Sequence, residues 1–405
     1  MNTSSTELPN GTVTSPRGFR AGAVYSGLKT PQPGQLDLGL LYSESPAAVA
    51  GVFTTNRFRA APVQWCQEHV AKGHARAIIV NAGNANAGTG AQGVEAAAQM
   101  AALAAKKLGL TADEVLVAST GVIGVPLPMD KIAAGVQSLD LNADGGADFS
   151  RAIMTTDTKA KTVAVELSLP GGKATIGGAA KGVGMIHPNM ATMLSFVTTD
   201  LAVDPAFLAV ATKAAADKSF NMVTVDGDTS TNDTLLVLAN GAAGNTPISE
   251  SSPEAAAFQS ALDDVCIYLA KCIARDGEGA TKIIEVQVAG AQATDDARAI
   301  ARSIAGSSLV KSAAYGNDPN WGRLLMAAGK AGVPLDTDKV DVFIGPVCVM
   351  RNGQPLPFDR AHASSIINNP EVVYRLDLHL GSGEATGWGC DLTEEYVHIN
   401  AHYTT

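Results

Sequence analysis

Apolar positions along this chain fall into two rhythms, and the switches between them lay out its elements. From Gly18 to Val80 they come as short runs broken by glycine or polar residues, GAVYSGL, LDLGLLY, AAVAGVFTT and ARAIIVNAG, a pattern that predicts strands. Residues 94–109, VEAAAQMAALAAKKLG, change to a helical rhythm: alanine-rich, with lysines in the last turn and glycine just after. A strand, EVLVAST, then breaks on Gly121 and Gly124, and a second helical stretch covers 128–138. Three strands are expected within 161–200: KTVAVELSL, ATIGGAAKG and ATMLSFVTTD. Helices follow at 205–218 and 253–274, with the strand TLLVLAN between them. Beyond the turn RDGEG come the strand TKIIEVQVAG, a helix at 295–305 and a β segment near 340–350. The closing residues, VYRLDLHLG and EEYVHINAHY, alternate as strands do. The first 15 residues are polar, with Pro9 and Gly11, and read as a flexible arm. Strands and helices mix without strict βαβ alternation, so the expected class is α+β, helices layered on largely antiparallel sheets.

Composition narrows the function classes. The chain has 405 residues, 46% of them hydrophobic and 17% charged, enough to bury a substantial core. Its net charge of −10 argues against nucleic-acid binding, which draws on a basic face to displace counterions. Five cysteines (Cys66, Cys266, Cys272, Cys348 and Cys390) are odd in number and lack C-x-x-C spacing, which speaks against a disulfide scaffold or a cysteine-rich zinc site. The N-terminus shows no apolar segment of signal-peptide type, and no uninterrupted run of 18 apolar residues suits a membrane span. A soluble cytoplasmic protein is expected. The 41 glycines gather in short polar clusters, the places where backbone approaches a site closely.

Conventional catalytic motifs are missing. There is no G-x-S-x-G elbow, no H-E-x-x-H and no phosphate-binding G-x-x-x-x-G-K-[ST]. His398 and His402 share a face but lack an evident third zinc ligand, so a solvent-facing or partner-facing role suits them better. A different chemistry is open at 181–200, KGVGMIHPNMATMLSFVTTD, where a glycine-rich stretch enters an apolar strand at Ala191-Thr192. A threonine hydroxyl can attack its own preceding carbonyl, and hydrolysis of the resulting ester leaves a chain that begins with Thr192. The new α-amine, with a pKa of about 7.7–8.0 in model compounds, can then act as base for its own hydroxyl. Most threonines in such runs are ordinary β-branched strand residues, and the dipeptide alone leaves both readings open.

The stretch KGVGMIHPNMATML resembles the cleavage-site motif of the ornithine acetyltransferase family, also called glutamate N-acetyltransferases of arginine biosynthesis. Further blocks resemble the family in order along the chain: VFTTNRFRAAPV (52–63), NAGNANAGTG (81–90), STGVIGVPLPM (119–129), MTTDT (154–158), VDGDTSTNDT (225–234) and ARDGEGATK (274–282). YGNDPNWGR (315–323), GWGCDLT (387–393) and EYVHINAHYTT (395–405) complete the set. The resemblance implies that Thr192 is the nucleophile, freed by cleavage of Ala191–Thr192, and that Thr120 and Gly121 stabilise the oxyanion. It also implies substrate contacts at Thr155, Lys181, Thr192, Glu278, Asn400 and Thr405, with Thr156 adjacent to the first of these. Lys181 offers a cation for an α-carboxylate and Glu278 an anion for the side-chain ammonium of ornithine.

The implied activity is ping-pong transfer of acetyl from N-acetylornithine to L-glutamate through an acetyl-Thr192 enzyme. Acetyl-CoA is a co-substrate in many members, and no metal or bound cofactor is implied. The implied architecture is a catalytic domain over 16–285 spanning the cleavage point and a smaller α/β domain over 286–405. Two α chains (1–191) and two β chains (from 192) would form a heterotetramer. An aminopeptidase or amidase with the same kind of N-terminal nucleophile is the alternative, with water in place of glutamate.

Overall fold

The computed structural model describes residues 5–169, 172–187 and 193–402. Ala191, Thr192 and Thr405 lie outside the described residues. Among those described, nine strands form one mixed sheet: β1 (Ser5–Glu7), β2 (Phe19–Val24), β3 (Leu38–Phe53), β4 (His74–Asn84), β5 (Val115–Val122), β6 (Lys161–Leu169), β7 (Gly172–Lys181), β8 (Leu194–Thr199) and β9 (Thr234–Ala239). Their order is β1-β6-β7-β8-β9-β3-β4-β5, with β2 added on β3. Pairing is antiparallel except for β8–β9 and β4–β5. Six more strands form a second sheet: β10 (Ile283–Ala291), β11 (Asp341–Ile344), β12 (Val347–Arg351), β13 (Gln354–Pro355), β14 (Glu371–Asp377) and β15 (Gly383–Cys390).

The helices are α1 (Ala61–Val70), α2 (Gly90–Leu108), α3 (Met129–Ser138), α4 (Gly146–Ala152), α5 (Pro205–Lys218), α6 (Ala255–Arg275), α7 (Thr294–Ala305), α8 (Ser308–Tyr315), α9 (Gly322–Gly329), α10 (Arg360–Ile367) and α11 (Glu394–His402). The class is α+β, with sheets layered between helices. Strands β8 and β9 are buried at every position, which explains the unbroken apolar run TLLVLA. Leu235 and Val237 join the core beneath α5 and α6, while Leu236 and Leu238 join Phe149 of α4 and Phe196 in a separate cluster. Helix α6 packs on β6 and β7 of the first sheet and on β10 and β15 of the second, so one apolar core runs through both. No helix among the described residues is long and apolar enough to cross a membrane.

Four expectations need correction. The N-terminal arm is not loose from Ser5 onward: β1 pairs with β6, and Val13 is fully buried. The runs LDLGLLY and AAVAGVFTT are one strand, β3, carried past a register shift between Tyr42 and Ala47. Helix α1 lies inside the region read as β-rich; Pro62 in its first turn is the start signal that the apolar content obscured. The segment EEYVHINAHY holds α11, not a strand, and His398 and His402 stack edge to face one turn apart on it. Two glutamates in its first turn favour the positive end of the helix dipole, and β15, the edge strand of its sheet, takes up no further strand there.

Candidate active site

The C-terminal ends of β5 and β7 point into a cavity of about 140 Å³, closed by the turn after α6 and by α11. Thr120, Gly121, Thr155, Lys181, Glu278 and Asn400 all line it. These six positions span 280 residues of sequence (120 to 400), so the fold brings together what the sequence scatters.

Thr120 and Gly121 end β5 beside the end of β4. Gly121 has φ +133°, and a Cβ there would lie 2.2 Å from the carbonyl carbon of Gly83, so only glycine lets the two strand ends meet. Asn232 braces the same corner: its amide donates to the carbonyls of Ala85 (2.7 Å) and Ser119 (2.8 Å). The Thr120 hydroxyl is nearly buried and accepts from Lys181 Nζ at 3.3 Å.

Lys181 is buried. Burial pushes its ammonium below the usual lysine range and Lys161 adds to this, while Asp157, Glu278 and Asp233 act the other way. Asp157 is the fixed counter-charge. Its Oδ1 accepts from Lys161 Nζ (2.7 Å) and from the Gly182 amide (2.8 Å), and its Oδ2 accepts from the Thr155 amide (3.0 Å). Burial raises the Asp157 carboxyl, but Lys181, Lys161 and the Gly182 amide outweigh it and hold the group at about 2. Lys161 Nζ reaches onward to Asp276 Oδ2 at 2.6 Å, and Asp276 accepts the Thr158 amide at 3.1 Å. This buried chain of charges ties the 155–158 loop, the end of β7 and the turn at 276–279 into one unit.

Glu278 crosses from that turn into the cavity. Its backbone amide donates to the Val183 carbonyl at 2.9 Å, and Gly184 clears its path, since a Cβ there would sit 2.4 Å from Oε2. Oε1 accepts from the Thr156 hydroxyl (2.9 Å) and Oε2 from the Asn400 amide (2.8 Å). Both neighbouring threonines therefore face the site: Thr156 grips Glu278, and Thr155 is held by Asp157. Helix α11 is fastened by the Thr393 hydroxyl, which donates to the Gly279 carbonyl at 2.8 Å.

A second cavity, of about 600 Å³, adjoins the first and shares Thr155 and Thr156 with it. Lys29 and Lys131 stand on its wall beside Leu28, Val122 and Val125. Burial pushes Lys29 down to about 8, with Asp37 opposing. Among the described residues no group of three or more His, Cys, Asp or Glu could hold a metal ion.

The sequence reading overlooked Asp157, Lys161, Asp276 and Asn232. Asp157, Asp276 and Asn232 lie inside the quoted blocks MTTDT, ARDGEGATK and VDGDTSTNDT, but the partners that give the two aspartates meaning are up to 118 residues away. Lys161 carried no local signal.

Comparison with known proteins gives a consistent picture. The ArgJ family model matches residues 20–405. An arginine biosynthesis bifunctional protein ArgJ from Dehalococcoides mccartyi is 52% identical over 405 residues, covering all of both chains. Its counterpart from Symbiobacterium thermophilum is 54% identical over 397 residues, covering 98% of this chain and 99% of that one. A crystal structure of arginine biosynthesis bifunctional protein argJ from Bacillus halodurans shares 45% identity at a TM-score of 0.51, covering 51% of this chain and 98% of that chain.

Proposed function

The chain belongs to the ArgJ family, and from that premise we propose that it transfers acetyl from N-acetylornithine to L-glutamate in arginine biosynthesis, through an acetyl-Thr192 intermediate. Cleavage of Ala191–Thr192 exposes the Thr192 α-amine, which takes the proton from its own hydroxyl as that hydroxyl attacks the acetyl carbonyl. The oxyanion falls to the Thr120 hydroxyl and the Gly121 amide, on the tight strand end that glycine permits. Ornithine leaves with the proton, and glutamate attacks the acetyl ester to give N-acetylglutamate. Lys181 pairs with the α-carboxylate and Glu278 with the ornithine ammonium; Asn400, Thr155 and Thr405 complete the contacts. The larger cavity, with its two lysines and apolar wall, gives acetyl-CoA a route into the smaller one past Thr155 and Thr156.

The observation that carries this reading is the convergence of Thr120, Gly121, Lys181, Glu278 and Asn400 on one small cavity. The match to a Bacillus halodurans chain about half as long as this one also supports a processed polypeptide. The products of processing, α (1–191) and β (192–405), assemble in this reading as two of each, in the cytoplasm.

The test is direct. Purified protein incubated with N-acetylornithine and glutamate should yield ornithine and N-acetylglutamate in equal amounts, and trapped enzyme should carry one acetyl group on a chain that starts at Thr192. Acetate released at the same rate without glutamate would instead indicate a hydrolase. A Thr192→Ala protein that still appears as two chains would overturn the cleavage site.

A further inference from the structure

One buried acid next to the cleavage point has no part in the transfer chemistry above. Asp233 begins the approach to β9 and is fully buried. Its Oδ1 accepts from the backbone amide of Met193 at 3.0 Å, the amide bonded directly to the carbonyl carbon of Thr192. Among the described residues, its buried Oδ2 has no hydrogen-bond partner. The nearby Thr54 hydroxyl does not fill that vacancy, because it donates to the Ser230 carbonyl at 2.6 Å. Backbone bonds on both sides make the placement rigid: Thr54 N–H donates to the Asp233 carbonyl (3.0 Å), and Thr234 N–H to the Met193 carbonyl (3.1 Å). A buried polar atom left unpaired costs about 1–3 kcal/mol, so retaining one beside a scissile bond calls for a use.

We propose that Asp233 positions the chain for self-cleavage and relays the proton: Oδ1 fixes the amide after Thr192, and Oδ2 carries the hydrogen that the departing Thr192 nitrogen needs. The proposal rests on the reading of Thr192 given above. In the first step the bond from Thr192 Oγ to the Ala191 carbonyl carbon forms and the carbon–nitrogen bond breaks. The Asp233 acid gives its proton to the nitrogen and recovers one from the Thr192 hydroxyl, so its own state is unchanged. One water then hydrolyses the ester, leaving a carboxylate on Ala191 and a free hydroxyl on Thr192.

The surroundings suit an acid that keeps its proton. Burial drives the Asp233 carboxyl well above the usual range, only partly offset by the Met193 amide and the charge of Lys181. The charge of Lys181 reaches it from β7, and the residue before β8 contributes the Met193 amide.

The experiment follows cleavage of newly synthesised chain by gel and intact mass, comparing wild type, Asp233→Asn and Thr192→Ala. Asparagine keeps the shape and an acceptor for Met193 but has no acid proton to give. Its cleavage should slow by about 10²-fold or more, the usual worth of a positioned acid or base. A melting temperature equal to that of uncleaved Thr192→Ala would show the variant folded. A folded Asp233→Asn chain that cleaves at the wild-type rate overturns the proposal and leaves the Thr192 reading standing, whereas a wild type that never cleaves overturns both. If Asp233→Asn does not fold, the wild-type pH profile decides. A relay from a protonated acid predicts a rate that is flat or falls between pH 6 and 9, and a rate that climbs with pH across that range overturns it.

Discussion

At the scale of single residues, the site depends on small groups held without freedom. Thr120 has its hydroxyl within 3.3 Å of Lys181 Nζ and a glycine behind it that no other residue could replace without moving Gly83. On the proposed mechanism Thr120→Ala should lower kcat by about 10²–10³ with a much smaller change in KM, the usual result of losing one oxyanion donor. Steady-state kinetics of both half-reactions would check this, and unchanged turnover would place the oxyanion contact elsewhere. The residue blocks made Thr120, Gly121, Lys181 and Glu278 legible in the sequence because each sits in a distinctive local string. Asp157 and Lys161 were not legible as a functional pair, because their role depends on the charge of Lys181 and on Asp276, brought close only by folding.

At the scale of elements, α11 shows how a local pattern misleads. Val397 and Ile399 alternate with polar residues as in a strand, yet the segment coils into a helix whose buried contacts are few. The consequence falls on the candidate site: as a helix it turns Asn400 toward Glu278, with Thr393 fastened to Gly279 at its start. Thr393→Val removes that fastening while keeping the side-chain shape. Losing one such bond costs about 0.5–1.5 kcal/mol, so KM for N-acetylornithine should rise by up to about tenfold. Thermal melting should barely move, since no residue of α11 is fully buried. A large fall in melting temperature with KM unchanged would make α11 a structural prop instead.

At the scale of the whole molecule, the proposed cleavage at Ala191–Thr192 would divide a single sheet between two fragments. Strands β8 and β9 belong to the second fragment but lie between β7 and β3 of the first, hydrogen-bonded on both sides. The buried pair Lys161–Asp276 also crosses between fragments. After cleavage the two chains should co-elute at neutral pH as one particle and separate only when the fold is lost. Acid should cause that loss. Asp157 sits at about 2 in the fold against about 3.9 unfolded, so its contribution is complete above pH 4 and fades as pH falls toward 2. Size-exclusion runs from pH 7 to pH 2 would check this, and fragments that separate at neutral pH would contradict the shared sheet.

What the sequence determined by itself was local: the alanine-rich helix α2, the apolar strands, and the strings around Thr120, Lys181 and Glu278. Those signals are carried by residues near one another along the chain, where periodicity and turn chemistry act. Only the tertiary structure decided that β8 and β9 sit inside a sheet begun by the other half of the chain, that α11 is a helix facing Glu278, and that Asp157, Lys161 and Asp276 form one buried ionic unit. Electrostatic and packing energies depend on distance in space, and for these groups that distance is unrelated to their separation in sequence.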